Sequence, residues 1–204
     1  MRSFERSFLI FLLVNVLCLH FWAQNKPADI KYSSNFSQLL TDSQEYIKEG
    51  LYEPARFSLQ RILKLARTAE EKKEVNLKLA EVEANLGNLS QAYDYYNQGL
   101  QLALETGDKK IEAFSQKSME IIDLYNKAKK LRQEKHYDEV IDVFNNAISY
   151  CDQINNPVLK CKALRQQSYA YLYLNKLKDF LEDNLKANEI AKAINNTIEI
   201  VLTF

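Results

Sequence analysis

The residues of this 204-residue chain with the strongest claim to chemistry are two cysteines, Cys151 and Cys161, placed symmetrically about Asn156. Cys151 extends the apolar run of Val140, Phe144, Ala147 and Ile148, and Cys161 extends that of Leu164, Ser168 and Tyr171. Were the two runs antiparallel helices, the sulfurs would face each other, and an oxidising compartment would join them. The alternative is two buried thiols packing as small hydrophobes. Neighbouring helix axes lie about 8–10 Å apart, often too far for the Cα atoms of a bridge. Two thiolates with no third ligand make a poor metal site. A nucleophilic cysteine would need a base. His136, the only histidine outside the N-terminal apolar stretch, falls in a predicted solvated turn rather than beside either thiol. No Cys-x-x-Cys, His-Glu-x-x-His or Gly-x-Ser-x-Gly spacing occurs, and Glu70-Glu71-Lys72-Lys73 reads as helix-spaced charge pairs on a wet face. The expectation is a protein that is not an enzyme and takes neither a metal nor a cofactor.

Bulk composition narrows the partners. Lys and Arg number 27 and so do Asp and Glu, so the chain lacks the accumulated positive charge that phosphate binding rests on, and nucleic acid is not expected. A hydrophobic content of 47% is too high for disorder, while four Gly and three Pro are too few for a many-turned β protein or a Gly-rich phosphate loop.

The N-terminus has the pattern of an export signal over residues 1–23. Arg2 and Arg6 precede an almost wholly apolar run from Ser7 to Trp22, shorter than the roughly 20 residues of a spanning helix, and cleavage is expected after Ala23. Phe21 is large for the position two before such a cut, so an uncleaved anchor is the alternative. Asn15-Val16-Leu17 is a poor lead-in to lipidation at Cys18. Residues 24–35 read as a linker, and the remainder is expected on the periplasmic or extracellular side of the cytoplasmic membrane.

From residue 36 onward the apolar residues recur with helical period, and Gly and Pro fall between the periodic runs. Gly50 and Gly87 each stop a run, Pro54 lies near the start of one, Gly107 closes a helix that Asp108 then follows as a cap, and Asn156-Pro157 does the same further on. Aligning Gly50, Gly87, Lys135 and Asn175 exposes a repeat. Seven residues before each stands a small residue, Ser43, Ala80, Ala128 and Ser168. Five residues after come Ala55, Ala92, Val140 and Phe180, and four beyond those Leu59, Tyr96, Phe144 and Asn184. Small residues at such positions let paired helices approach, and the large residues fill the groove between pairs.

This arrangement resembles the tetratricopeptide repeat family, whose motif has a small residue in the first helix, Gly at the turn, then an aromatic, an Ala, an aromatic and a second Ala. The second unit carries the likeness best, with Leu79-Ala80, Leu86-Gly87, Ala92, Tyr96 and Gly99-Leu100. The third follows through Leu131, Tyr137, Phe144, Ala147 and Ile148, with Lys135 in place of Gly; the first contributes Tyr46, Gly50, Tyr52, Ala55 and Leu63. The fourth diverges at Phe180 and Asn184. Turns 37, 48 and 40 residues apart exceed the family's period of about 34 and read as lengthened helices, like the extended repeats of bacterial exported and regulatory proteins. The resemblance implies an all-α right-handed superhelix over residues 36–204, with units near 36–70, 71–107, 108–155 and 156–204.

In such solenoids the first helix of each unit lines a concave groove. Helical spacing places Tyr125, Lys129 and Arg132 of the third unit there, with Lys162, Arg165, Tyr169 and Tyr173 of the fourth. The second unit offers Glu74 and Glu81, and the first Gln44 and Lys48. A groove acidic at one end and basic with tyrosines at the other suits an extended acidic or aromatic peptide, against the plainer reading of surface charge and packed rings. Leu40 and Gln44 stand where a carboxylate clamp would need Lys and Asn, so that specialised role is not implied. The expected function is an exported scaffold for a protein or peptide partner. The alternative is the sensory ectodomain of a two-component histidine kinase or a membrane-bound transcriptional regulator, with membrane contact only through the N-terminal segment or a helix beyond the apolar C-terminal end.

Overall fold

The computed structural model describes residues 36–194; the expectations for the signal, the linker and residues 195–204 lie outside them. Among the described residues eight helices follow one another: α1 (Phe36–Lys48), α2 (Tyr52–Leu65), α3 (Ala69–Leu86), α4 (Leu89–Thr106), α5 (Lys109–Gln133), α6 (Tyr137–Ile154), α7 (Pro157–Tyr173) and α8 (Leu177–Ala193). No strand occurs among the described residues. Each helix packs on the next, and the eight form four consecutive hairpins.

The hairpin turns share one backbone solution. Gly50, Gly87, Lys135 and Asn175 all have positive φ, at 72°, 86°, 64° and 59°. In each, the residue after the left-handed one donates its N–H back to a carbonyl of the preceding helix: Leu51 to Tyr46 at 2.8 Å, Asn88 to Glu83 at 2.8 Å, His136 to Leu131 at 2.9 Å and Lys176 to Tyr171 at 2.9 Å. This closes the orphan carbonyls of the first helix in five residues or fewer. The turn therefore survives the loss of glycine in the third and fourth hairpins, with Lys135 paying a steric cost that Gly87 avoids. Between hairpins, Asp108 accepts from the Ile111 N–H and Asn156 from the Leu159 N–H, both at 3.1 Å, with Pro157 opening α7. Thr68 and Glu71 form a reciprocal capping box at the start of α3.

The small residues lie on the seam. Ser43, Ala80, Ala128 and Ser168 are buried, as are Ala55, Ala92, Val140, Leu59, Tyr96 and Phe144 across from them. Gly99 extends this logic: a Cβ there would meet Leu77 Cδ2 at 3.1 Å. Ring pairs act both between and within hairpins: Tyr96 of the second lies edge-on to Phe114 of the third at 6.0 Å, and Tyr125 lies edge-on to Phe144 across the third at 5.2 Å. The fourth hairpin departs from the pattern where its sequence does: Phe180 and Asn184 are only half-buried, and Asn184 donates to the Phe180 carbonyl at 2.9 Å.

Contacts between non-consecutive helices position the site. α7 touches both α3 and α5. Asn156 Nδ2 reaches the Tyr96 hydroxyl at 3.4 Å, and Lys162 Nζ lies 3.5 Å from the Asn85 carbonyl oxygen. A straight stack would keep the second and fourth hairpins apart, so the array curls until their first helices meet. No described helix is long and apolar enough to cross a membrane.

Candidate functional site

The α3–α7 contact divides the inner face into two recesses, and the long α5 runs along both. Its N-terminal half, through Lys110, Ile111 and Phe114, walls a recess of about 420 Å³ shared with α3 and the start of α7. Its C-terminal half, through Tyr125, Lys129 and Arg132, walls a second of about 510 Å³ with Val140 and Phe144 of α6 and Lys162, Arg165 and Gln166 of α7. Spacings of three and four residues put these side chains on one face of each helix.

The second recess is cationic. Lys129, Arg132, Lys162 and Arg165 all line it, and none of the described residues lining it is acidic. Lys129 is exposed, Arg132 and Lys162 are half-buried, and Arg165 is buried at 3% exposure. Arg132 donates to Gln166 Oε1 at 2.7 Å, which pins the end of α5 beside the middle of α7. Tyr125 contributes an apolar wall rather than a ligand-facing hydroxyl. It is buried, and its hydroxyl donates to the Leu159 carbonyl at 2.8 Å.

Five of the seven groove residues read from the sequence thus meet at one recess, and Tyr169 and Tyr173 do not. The Arg132–Gln166 bond explains the difference. Gln133 ends α5, so Tyr169 and Tyr173 run past it by one and two turns, where α5 supplies no facing wall. Tyr173 instead stacks on Tyr137, ring centroids 4.7 Å apart and planes 8° from parallel.

The first recess is amphipathic. Glu74 and Glu81 line it, but so do Lys78 and Lys110, over a floor of Ile47, Leu77, Phe114 and Val158. The acidic end expected from Glu74 and Glu81 is therefore charge-balanced. Desolvation in this concavity raises the Glu81 carboxyl above its usual range, with Lys78 acting in the opposite sense. Burial likewise pushes the Tyr52 and Tyr96 hydroxyls up to about 12. Gln44 and Lys48 line neither recess. Asn155 to Val158 do, a contribution invisible in the sequence because it depends on the curl that brings the α6–α7 turn against α3 and α4.

The bridge between Cys151 and Cys161 is not formed, and both are buried thiols. Cys151 packs in the main core with Phe144 and Ala147, whereas Cys161 is turned toward α8, among Leu164, Ala187 and Ala191. Its thiol donates to the Ala187 carbonyl at 3.2 Å. Both lie on buried faces, but of different interfaces. Burial pushes the Cys151 thiol up to about 12, which leaves it protonated near neutrality. His136 sits exposed at the start of α6 with Nδ1 3.1 Å from Glu139, remote from both thiols in the chain's turn. No group of three or more His, Cys, Asp or Glu among the described residues is arranged to hold a metal.

These features define a helical-hairpin repeat protein with a two-chambered inner face. No family model and no curated protein matches the sequence. Among solved structures, the chain is similar to Bacillus thuringiensis PlcR crystallised in complex with the peptide PapR7 and DNA. That likeness has 15% identity and a TM-score of 0.49 over 91% of this chain and 78% of the other. It is also similar to PlcR in its apo form, with 19% identity and a TM-score of 0.35 over 94% and 74% of the two chains. Likenesses this distant do not bear on what the chain binds.

Proposed function

We propose that this chain is a non-enzymatic scaffold that holds an extended acidic peptide along its inner face, outside the cytoplasmic membrane. A carboxylate of the peptide is anchored in the second recess by the guanidinium of Arg132 and the ammonium groups of Lys129 and Lys162. An adjoining apolar or aromatic side chain enters the first recess against Ile47, Leu77 and Phe114. The observation that carries this reading is the convergence of four cations on one recess whose described lining holds no carboxylate. Pairing a planar guanidinium with a carboxylate in such a partly dry site gives charge-assisted hydrogen bonds about twice as strong as neutral ones. Export follows the pattern of residues 1–23.

The test is fluorescence anisotropy with a labelled peptide alternating Glu/Asp and Phe, against the wild-type protein and a Lys129→Glu/Arg132→Glu variant. Both side chains reach solvent, and circular dichroism checks that the variant keeps the fold without the Arg132–Gln166 bond. The expected result is an affinity loss of tenfold or more, since one charge-assisted contact contributes about 1.5–3 kcal/mol. Equal binding by both proteins would overturn the assignment, as would tighter binding of a single-stranded oligonucleotide than of the peptide.

A further inference from the structure

On the other side of the fourth hairpin, between α6, α7 and α8, lies a third recess of about 500 Å³. Its origin is a break in the repeat. Eight and nine residues after the left-handed turn position, the third hairpin has Val143 and Phe144, both buried in the core. The fourth hairpin has Asp183 and Asn184 at the same offsets from Asn175. Replacing Val-Phe by Asp-Asn removes apolar volume and brings a carboxylate into the space. Asp183 is buried at 7% exposure, and its Oδ2 has no hydrogen-bond partner.

The surroundings increase the negative charge. Asp179, Glu182, Asp183 and Glu189 of α8 line the recess, against Lys186 of α8 and Lys160 of α7. Tyr171 of α7 also faces it, and α6 contributes the uncharged Asn145 and Ile148. Both lysines are engaged elsewhere. Lys186 donates to Glu182 at 2.7 Å and comes only within 4.0 Å of Asp183, while Lys160 pairs with Asp152 at 2.6 Å. An ion-pair role within the fold would place a cation on Asp183, and the nearest one is on Glu182. A buried carboxylate at a position the preceding hairpin fills with valine is a cost to folding, of the kind retained for binding.

We infer that this outer recess is a second binding site, for a guanidinium group, with Asp183 as its anchor and Glu182 and Asp179 at its rim. The planar fork of a guanidinium presents several donors in fixed directions, so one group can engage Asp183 and a rim carboxylate together, which a single ammonium does less well. The site is on different helix faces from the two inner recesses and stands whether or not those bind peptide. Protonation would switch it off. Burial, reinforced by Glu182 and Asp179 and opposed by Lys186, pushes Asp183 up to about 6. A carboxyl whose folded pKa is raised binds extra protons in the native state between its unfolded value and about 6. It therefore favours the fold as pH falls through that window and disfavours it above.

The probes are N-acetyl-arginine methylamide, its lysine counterpart, and an arginine-containing peptide, titrated calorimetrically at pH 7.5 and pH 5. Wild-type protein should bind the arginine probes more tightly than the lysine one, and more weakly at pH 5. Binding of the small arginine probe identifies a free guanidinium compound as a sufficient ligand, and binding of the peptide alone identifies a protein-borne arginine. Asp183→Asn and Asp183→Val should lose about tenfold to a hundredfold in affinity, the weight of one charged hydrogen-bonded contact. Both should melt at or above the wild-type temperature at pH 7.5. Failure of all arginine probes to bind, equal affinity for lysine, or unchanged binding by Asp183→Val would overturn the assignment. Because the substitutions are expected to stabilise, a lost signal is not explained by unfolding.

Discussion

Lys135 offers a direct measure of what the repeat costs where its glycine is missing. Its φ of 64° puts a side chain in the left-handed region, whereas Gly87 at the equivalent turn has φ 86° with no Cβ to accommodate. A left-handed non-glycine residue costs roughly 1–2 kcal/mol in the native state. Glycine in its place recovers that cost but enlarges the unfolded ensemble, which returns about 0.4–1 kcal/mol. Lys135→Gly should thus stabilise the protein by about 0.5–1 kcal/mol. Gly87→Ala, where an added Cβ meets nothing within 4 Å, should destabilise by about 1 kcal/mol through backbone conformation alone. Asn175→Gly should change less than Lys135→Gly, because asparagine tolerates this region better. Urea unfolding followed by circular dichroism reads all three. Hydrogen exchange in α5 and α6 reports whether the Lys135 change acts locally, as expected where stability passes between neighbouring hairpins. A Lys135→Gly variant less stable than wild type, with an unchanged denaturant slope, would refute the argument that the turn geometry is shared and glycine-favouring.

Two further outcomes follow from the core. Tyr125→Phe leaves the ring on Phe144 but removes the bond to the buried Leu159 carbonyl, so it should lower stability by about 1 kcal/mol in thermal melts while leaving peptide affinity at the second recess within twofold. Cys151 and Cys161 should resist iodoacetamide in the native protein and both react in guanidinium; a native, non-reducing mass two hydrogens lighter would instead reveal a bridge between them.

The elements of this protein were readable from local rules. A 3.6-residue apolar period, glycine or a substitute for it at each turn, and capping by Asp108 and Asn156 all act within a few residues, and the structure follows them closely. The buried alanines Ala80, Ala92 and Ala147 were legible for the same reason, since a helix face repeats regularly along the chain. The four cations and the one tyrosine that share the second recess are legible by that spacing too. What escaped was everything that depends on how one hairpin is rotated against another.

That rotation brings α7 onto α3, so the Asn155–Val158 turn lines a recess with residues from the second hairpin. It sets the register in which Tyr169 and Tyr173 extend past the end of α5, and it turns Cys161 toward α8 rather than toward Cys151. Composition and periodicity by themselves determined a chain of helical hairpins with a close-packed seam, because helix formation and reversal are decided over one or two turns. Only the tertiary structure decided which faces meet, because a small angle at each interface, set by the shapes of all the side chains packed there, accumulates across four hairpins into the curl that makes the recesses.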